Sequence, residues 1–242
     1  MPTAGATREA HITRTWDVIV SSRSRASTPG VDLFWLPLGA GGHSVRLNGR
    51  VFEAVAARLG RRAVCDLYHS ALGLRLPEGR FVVELAPVPD GNGARRGVVA
   101  EGAVGSRWAG RFRIFRYEVR RWREGVIPDL SEAVDSPRLL TDDPRQTQRV
   151  FDLVSSVPTP VWGRDELGAG GMWNSNSLIS WLIAAGGLDD SIQPPDGGRA
   201  PGWDAGLVLG RRQRDSAMTS DSRAVAPVAP TSVGPMPTAT VA

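Results

Sequence analysis

The chain has 242 residues, 41% of them hydrophobic, and a single cysteine, Cys65; that is enough apolar length for a sizeable core and too little sulfur for a disulfide framework. Its three histidines, His11, His43 and His69, are scattered, so no Cys/His set has metal-ligand spacing, and neither a metal nor a cofactor is expected. All 29 basic residues are arginine, yet residues 31–210 hold 21 Arg against 21 Asp plus Glu, which leaves the net charge of +4 in the two tails and argues against a nucleic-acid partner.

Residues 1–30 are rich in Ser, Thr, Arg, Ala and Gly without periodicity, and residues 211–242 are mostly a Pro/Ala/Ser/Thr/Val run. Both are expected to be disordered, flanking one globular domain over 31–210. The apolar runs 18–20 and 178–185 are too short for a signal-peptide core or a membrane span, so the expectation is a cytoplasmic protein that crosses no membrane.

The domain opens with a strand-like run over 31–38. The glycine loop 39–42 that follows lacks both dinucleotide-binding spacing and a Gly-Lys-Ser/Thr ending, and reads as a turn. Residues 43–47 suit a short strand and 51–59 a helix, with Val51, Phe52, Val55 and Leu59 on one side and alanines between them. Residues 67–76 and 80–86 flank Pro77-Glu78-Gly79, which has the turn chemistry of a hairpin. If facing residues sum to 155, His69 opposes Ala86, and Glu84 becomes its diagonal neighbour on the same face. A carboxylate there accepts from one imidazole nitrogen and leaves the other as a base, whereas a slip of one residue separates the two.

Residues 98–104 and 111–123 are further strand candidates. The second carries Arg111, Arg113, Arg116, Arg120, Arg121 and Arg123 around Phe112, Ile114, Phe115, Tyr117 and Val119. Such a stripe can hold phosphates, but more often it is the solvated face of an amphipathic edge strand. Asp142-Asp143-Pro144 starts a helix with Val150, Leu153 and Val154 as its buried stripe. Residues 158–165 read as an extended connector. Over 172–188 a capping-rich start, apolar residues Leu178, Trp181, Leu182 and Ala185, and a Gly-Gly stop predict a short buried helix. Residues 203–209 suit a last strand.

Ser175 lies in the first turn of the 172–188 helix, where unpaired backbone N–H groups and the helix dipole favour a nucleophile. The order of a strand histidine followed by a helix-opening Asn174-Ser175-Asn176-Ser177 resembles the circularly permuted branch of the papain-like NlpC/P60 superfamily, which includes lecithin:retinol acyltransferase-like and PPPDE-type peptidases. The resemblance covers about residues 65–188. It implies an α+β fold, an antiparallel sheet packed against a few helices in a permuted papain-like arrangement, and a hydrolase or acyltransferase acting on an amide, ester or thioester bond of a small molecule or peptide. In that reading Ser175 is the nucleophile, His69 the base, Glu84 its orienter, and backbone N–H groups form the oxyanion hole. Serine stands where the family has cysteine, and a hydroxyl must lose its proton during attack where a thiol is already acidic. Two other readings use the same residues. Serine and asparagine are preferred N-caps, so the domain can be a non-catalytic relative that binds a peptide or protein partner. The arginine stripe can instead mark a basic-surface interaction protein. His43 is the alternative histidine if the hairpin assignment fails.

Overall fold

A computed structural model describes residues 28–38, 65–88, 97–127 and 130–224. The glycine loop 39–42, His43 and the expected helix over 51–59 lie outside the described residues, as do both chain ends. Among the described residues the fold is α+β. Six strands lie in the order β4-β5-β3-β2-β1-β6, all antiparallel: β1 (Gly30–Pro37), β2 (Asp66–Leu76), β3 (Gly79–Pro87), β4 (Val98–Ala103), β5 (Arg116–Arg123) and β6 (Val134–Thr141). A two-residue β7 (Gly198–Arg199) runs parallel to the start of β2. Among the described residues three α-helices come after β6: α1 (Pro144–Leu153), α2 (Ser175–Gly186) and α3 (Trp203–Ala224).

The β2–β3 hairpin forms where its turn chemistry places it. Leu72 faces Val83 and Leu76 faces Gly79, so every pair of this ladder sums to 155 as expected from the sequence. Alternation then divides the sheet. Leu33, Trp35, Leu72, Leu74, Val83, Leu85, Tyr117 and Val119 point to one face and merge with Leu178, Ile179, Trp181, Leu182 and Ile183 of α2 in a single core. Each such fully buried aliphatic side chain contributes about 1.5–3 kcal/mol. The other face carries a smaller apolar cluster of Leu36, Ala71, Val82 and Ile127. Beside it lie two ionic groups, Asp32 with Arg75 and Arg120 between Glu84 and Glu118. All five charged groups are largely buried, and each cation faces a carboxylate, which is what keeps a desolvated charge tolerable.

Helix α1 starts at the expected Asp143, whose carboxylate accepts from the Arg145 N–H at 2.8 Å, with Pro144 in the first turn. Val150 and Val154 are fully buried. Helix α2 ends as its Gly-Gly stop requires: Gly187 takes φ 75°, a left-handed cap that an L side chain resists.

Three elements differ from expectation. Residues 203–209 form the first two turns of α3 rather than a strand, and the helix continues to Ala224 through the start of the segment expected to be disordered. The cause is a stripe of Gly202, Gly206 and Gly210 laid against α2. A Cβ on Gly210 would stand 2.7 Å from the Trp181 carbonyl, and one on Gly206 would collide with Ser177 and Ser180, so the helices approach along backbone. Strand β6 escapes a sequence reading because Asp135 and Pro137 interrupt it. It tolerates them as an edge strand with an irregular ladder, in which Ser136 Oγ accepts the Trp35 N–H at 2.8 Å. The third difference concerns β5, which begins only at Arg116.

Candidate functional site

The first turn of α2 is built from side chains that close on the backbone and on one another. Asn174 is the N-cap: its Oδ1 accepts the Ser177 N–H at 3.1 Å while Ser177 Oγ accepts the Asn174 N–H at 3.1 Å, a reciprocal capping box. Asn176 Nδ2 donates to the carbonyls of Tyr68 and Pro201, both at 3.0 Å, and its Oδ1 accepts from Ser70 Oγ at 2.9 Å. Ser180 Oγ donates to the Trp203 carbonyl at 2.7 Å. This network ties α2 to β2 on one side and to the start of α3 on the other. Sequence reasoning offered Asn174, Ser175 and Asn176 as caps, of which Asn174 alone is the N-cap, and it missed the roles of Ser70, Ser177 and Ser180. The signal was there, since Ser70 has the same parity in β2 as the buried Leu72 and Leu74.

Ser175 occupies the first helical position, half-buried, and among the described residues no hydrogen bond engages its hydroxyl. His69 lies in β2 opposite Leu36. Its neighbours Tyr68 and Ser70 face α2, through the main core and the bond to Asn176, so alternation turns His69 to the opposite face of the sheet. Glu84 shares that far face with His69, as the hairpin parity requires. The β2–β3 ladder, however, ends at Leu72 and Val83, and the Glu84 carboxylate accepts instead from Arg120 at 3.0 Å. The structure thus brings Glu84 to an arginine and does not bring Ser175 and His69 to one side of the sheet. A polar hollow of about 390 Å³ opens beside the first turns of α2 and α3, along Met172, Pro194, Arg199, Gly202 and Trp203; Ser175 is not part of its lining.

The arginine stripe divides at Arg116. In β5, Arg120 is buried in the ionic group, Arg121 donates to the Phe151 carbonyl at 2.9 Å and stacks 4.0 Å over the Phe151 ring, and Arg123 donates to the Glu78 carbonyl at 2.6 Å. These arginines hold the fold together. Ahead of Arg116 the chain makes two single turns of 3₁₀ helix, Ala109–Arg111 and Arg113–Phe115, at the tip of the β4–β5 hairpin. There the apolar side chains expected inside a strand stand in solvent: Trp108 is 65% exposed, Phe112 54%, Ile114 81% and Phe115 43%. The sequence carries a trace of this, because Phe112 and Ile114 fall out of phase with Phe115, Tyr117 and Val119, a period-2 slip that a continuous strand cannot absorb.

The tip is held firmly at its base. Arg107 makes a two-pronged pair with Glu166 (2.9 and 2.8 Å), Arg116 pairs with Glu101 at 3.1 Å, and Arg164 donates to the Gly105 carbonyl. The Arg107 guanidinium, with the Val161 N–H, holds the Glu166 carboxyl below the usual carboxylate range. Behind it Tyr117 Oη donates to the Pro160 carbonyl at 2.7 Å, and burial pushes that phenol up. Arg111 and Arg113 make no ion pair among the described residues. No protein-family model, curated protein or solved structure matches this chain.

Proposed function

We propose that the domain is a non-catalytic interaction module, and that the tip of the β4–β5 hairpin is its contact surface for an anionic partner. The observation that carries this reading is the joint exposure of Trp108, Phe112, Ile114 and Phe115 beside two arginines that have no acidic partner among the described residues. Leaving large apolar side chains in water at a firmly anchored position forgoes the main stabilising force of folding, and a contiguous patch of this kind marks a place where something else binds. The helix turn that holds Ser175 has the opposite character, since the side chains of Asn174, Asn176, Ser177 and Ser180 are consumed by capping and by tying α2 to its neighbours, and only the half-buried Ser175 hydroxyl is left out.

The test is binding of the full-length chain to two anionic probes, soluble poly-glutamate and phosphatidylglycerol vesicles, at low and high salt. Binding to at least one probe, weakened by salt and by the pair Arg111→Ser/Arg113→Ser but unchanged in Ser175→Ala, is the expected result. No binding to either probe at low salt, or binding indifferent to the arginine pair, overturns the proposal.

A further inference from the structure

Resting on that reading, we infer that the partner of the hairpin tip is an anionic bilayer surface, into which Trp108, Phe112, Ile114 and Phe115 insert while Arg111 and Arg113 meet the headgroups. Residues 105–116 hold four arginines and four large apolar residues without a single acidic side chain. Trp and Phe with Arg beside them suit the boundary between headgroups and acyl chains, where an apolar body and a charged or polar rim are solvated together.

Three structural features favour lipid over a folded protein. The apolar residues sit at the end of a hairpin, and β4 is the edge strand of the sheet, so they form a prong rather than a groove. Ile114 has almost no neighbours to share with a partner of fixed shape, whereas acyl chains close around a wedge of any form. Part of the backbone of the prong is also paired from within. The Ala109 N–H donates to Ser106 Oγ at 3.1 Å, Arg111 N–H to the Trp108 carbonyl at 3.2 Å, Phe112 N–H to the Ala109 carbonyl at 2.9 Å and Phe115 N–H to the Phe112 carbonyl at 3.0 Å. Each such bond lowers the cost of entering a poorly hydrated layer, where water no longer pairs the polar groups. At the base the bidentate Arg107–Glu166 pair ties the prong to the 161–166 segment, and Leu167, next to Glu166 in the chain, is exposed. No helix among the described residues is long and apolar enough to cross a membrane, and insertion of the tip alone reaches about 5–10 Å.

The deciding experiment is co-sedimentation of the full-length chain with phosphatidylcholine vesicles of rising phosphatidylglycerol content, with soluble poly-glutamate as a competitor. In parallel, tryptophan emission is read against vesicles with brominated acyl chains. The expected result is binding that rises with the anionic fraction and quenching of an emission component that Trp108→Phe removes. Phe112→Ser/Ile114→Ser should weaken binding about tenfold or more, and loss of Arg111 and Arg113 about fivefold each. Because these side chains are exposed, circular dichroism should show all variants folded. Binding to poly-glutamate without binding to vesicles overturns the bilayer inference and leaves the interaction module standing, with an acidic protein as its partner. Vesicle binding that survives Phe112→Ser/Ile114→Ser, or that is as tight on pure phosphatidylcholine, also overturns it. Binding to neither probe removes both readings together.

Discussion

The first turn of α2 and the tip of the β4–β5 hairpin treat their side chains in opposite ways. At the helix turn Asn174, Asn176, Ser177 and Ser180 are buried, and their polar atoms meet carbonyls, N–H groups or one another. At the tip, Trp108, Phe112 and Ile114 are more than half exposed, and two arginines have no acidic partner among the described residues. A buried polar group must be paired to be tolerated, so a fully paired cluster is explained by folding alone. An exposed apolar cluster on an anchored loop is not explained by folding, and the difference in what the native state leaves unsatisfied is what directs attention to the tip.

Substitutions can break or sharpen that contrast. The largest effect is expected at the core beneath the helix turn: Trp181→Ala removes a buried indole and its bond to Gln213, and should cost about 3–5 kcal/mol in urea unfolding. Asn176→Ala removes the partner of the Ser70 hydroxyl and of the Tyr68 carbonyl, while the Pro201 carbonyl keeps its bond from Asn174 Nδ2, and a loss of about 1–3 kcal/mol is expected for a group left unpaired in this way. If Asn176→Ala unfolds at the wild-type midpoint, the turn is not the structural clamp described. Asn174→Ala should cost about 1 kcal/mol as a lost N-cap.

At the tip the direction reverses. Phe112→Ser/Ile114→Ser should move unfolding by no more than about 0.5 kcal/mol, and a larger loss would mean that those side chains support the fold. Ser175→Cys, placed where no hydrogen bond holds the hydroxyl, should alkylate with iodoacetamide no faster than Cys65. Faster labelling would signal an activated nucleophile and restore the hydrolase expected from the papain-like resemblance.

The smallest effect concerns pH. The Glu166 carboxyl is held below its ordinary value of 4.5, first by the hydrogen bond from Arg107 and then by the Val161 N–H. With a folded pKa lower than the unfolded one, its contribution is complete above that ordinary value and is lost as pH falls through the depressed one. Amide exchange at residues 107–115, corrected for intrinsic rates, should therefore quicken in that acid window in the native chain. In Glu166→Gln it should stay flat with pH, and a flat wild-type profile would show that the pair does not anchor the tip.

Much of the local structure was legible in the residues. The turn at Pro77-Glu78-Gly79 set the 155 register, Asp143-Pro144 opened α1, and Asn174 with Gly187 bounded α2, because capping and turn chemistry act over a few neighbouring residues. Period-2 alternation even placed His69 and Glu84 on one face. It carried no information on which face would receive the helices, and that decided the candidate site: α2 packs on the side of Tyr68 and Ser70, away from His69. Helix α3 was misread as a strand because its determinant, the glycine stripe facing α2, has meaning only once a second helix lies against it.

The division follows from range. Residue sequence by itself determined the α+β class, the hairpin, the start of α1, the limits of α2 and the arginine-rich, acid-free composition of residues 105–116, all of which depend on short-range sterics, hydrogen bonding and charge. Tertiary structure alone decided that Arg120 and Arg121 serve the fold while Arg111 and Arg113 make no ion pair among the described residues, and that Phe112 and Ile114 face water. Burial is a property of what packs against a residue, and those neighbours come from distant parts of the chain.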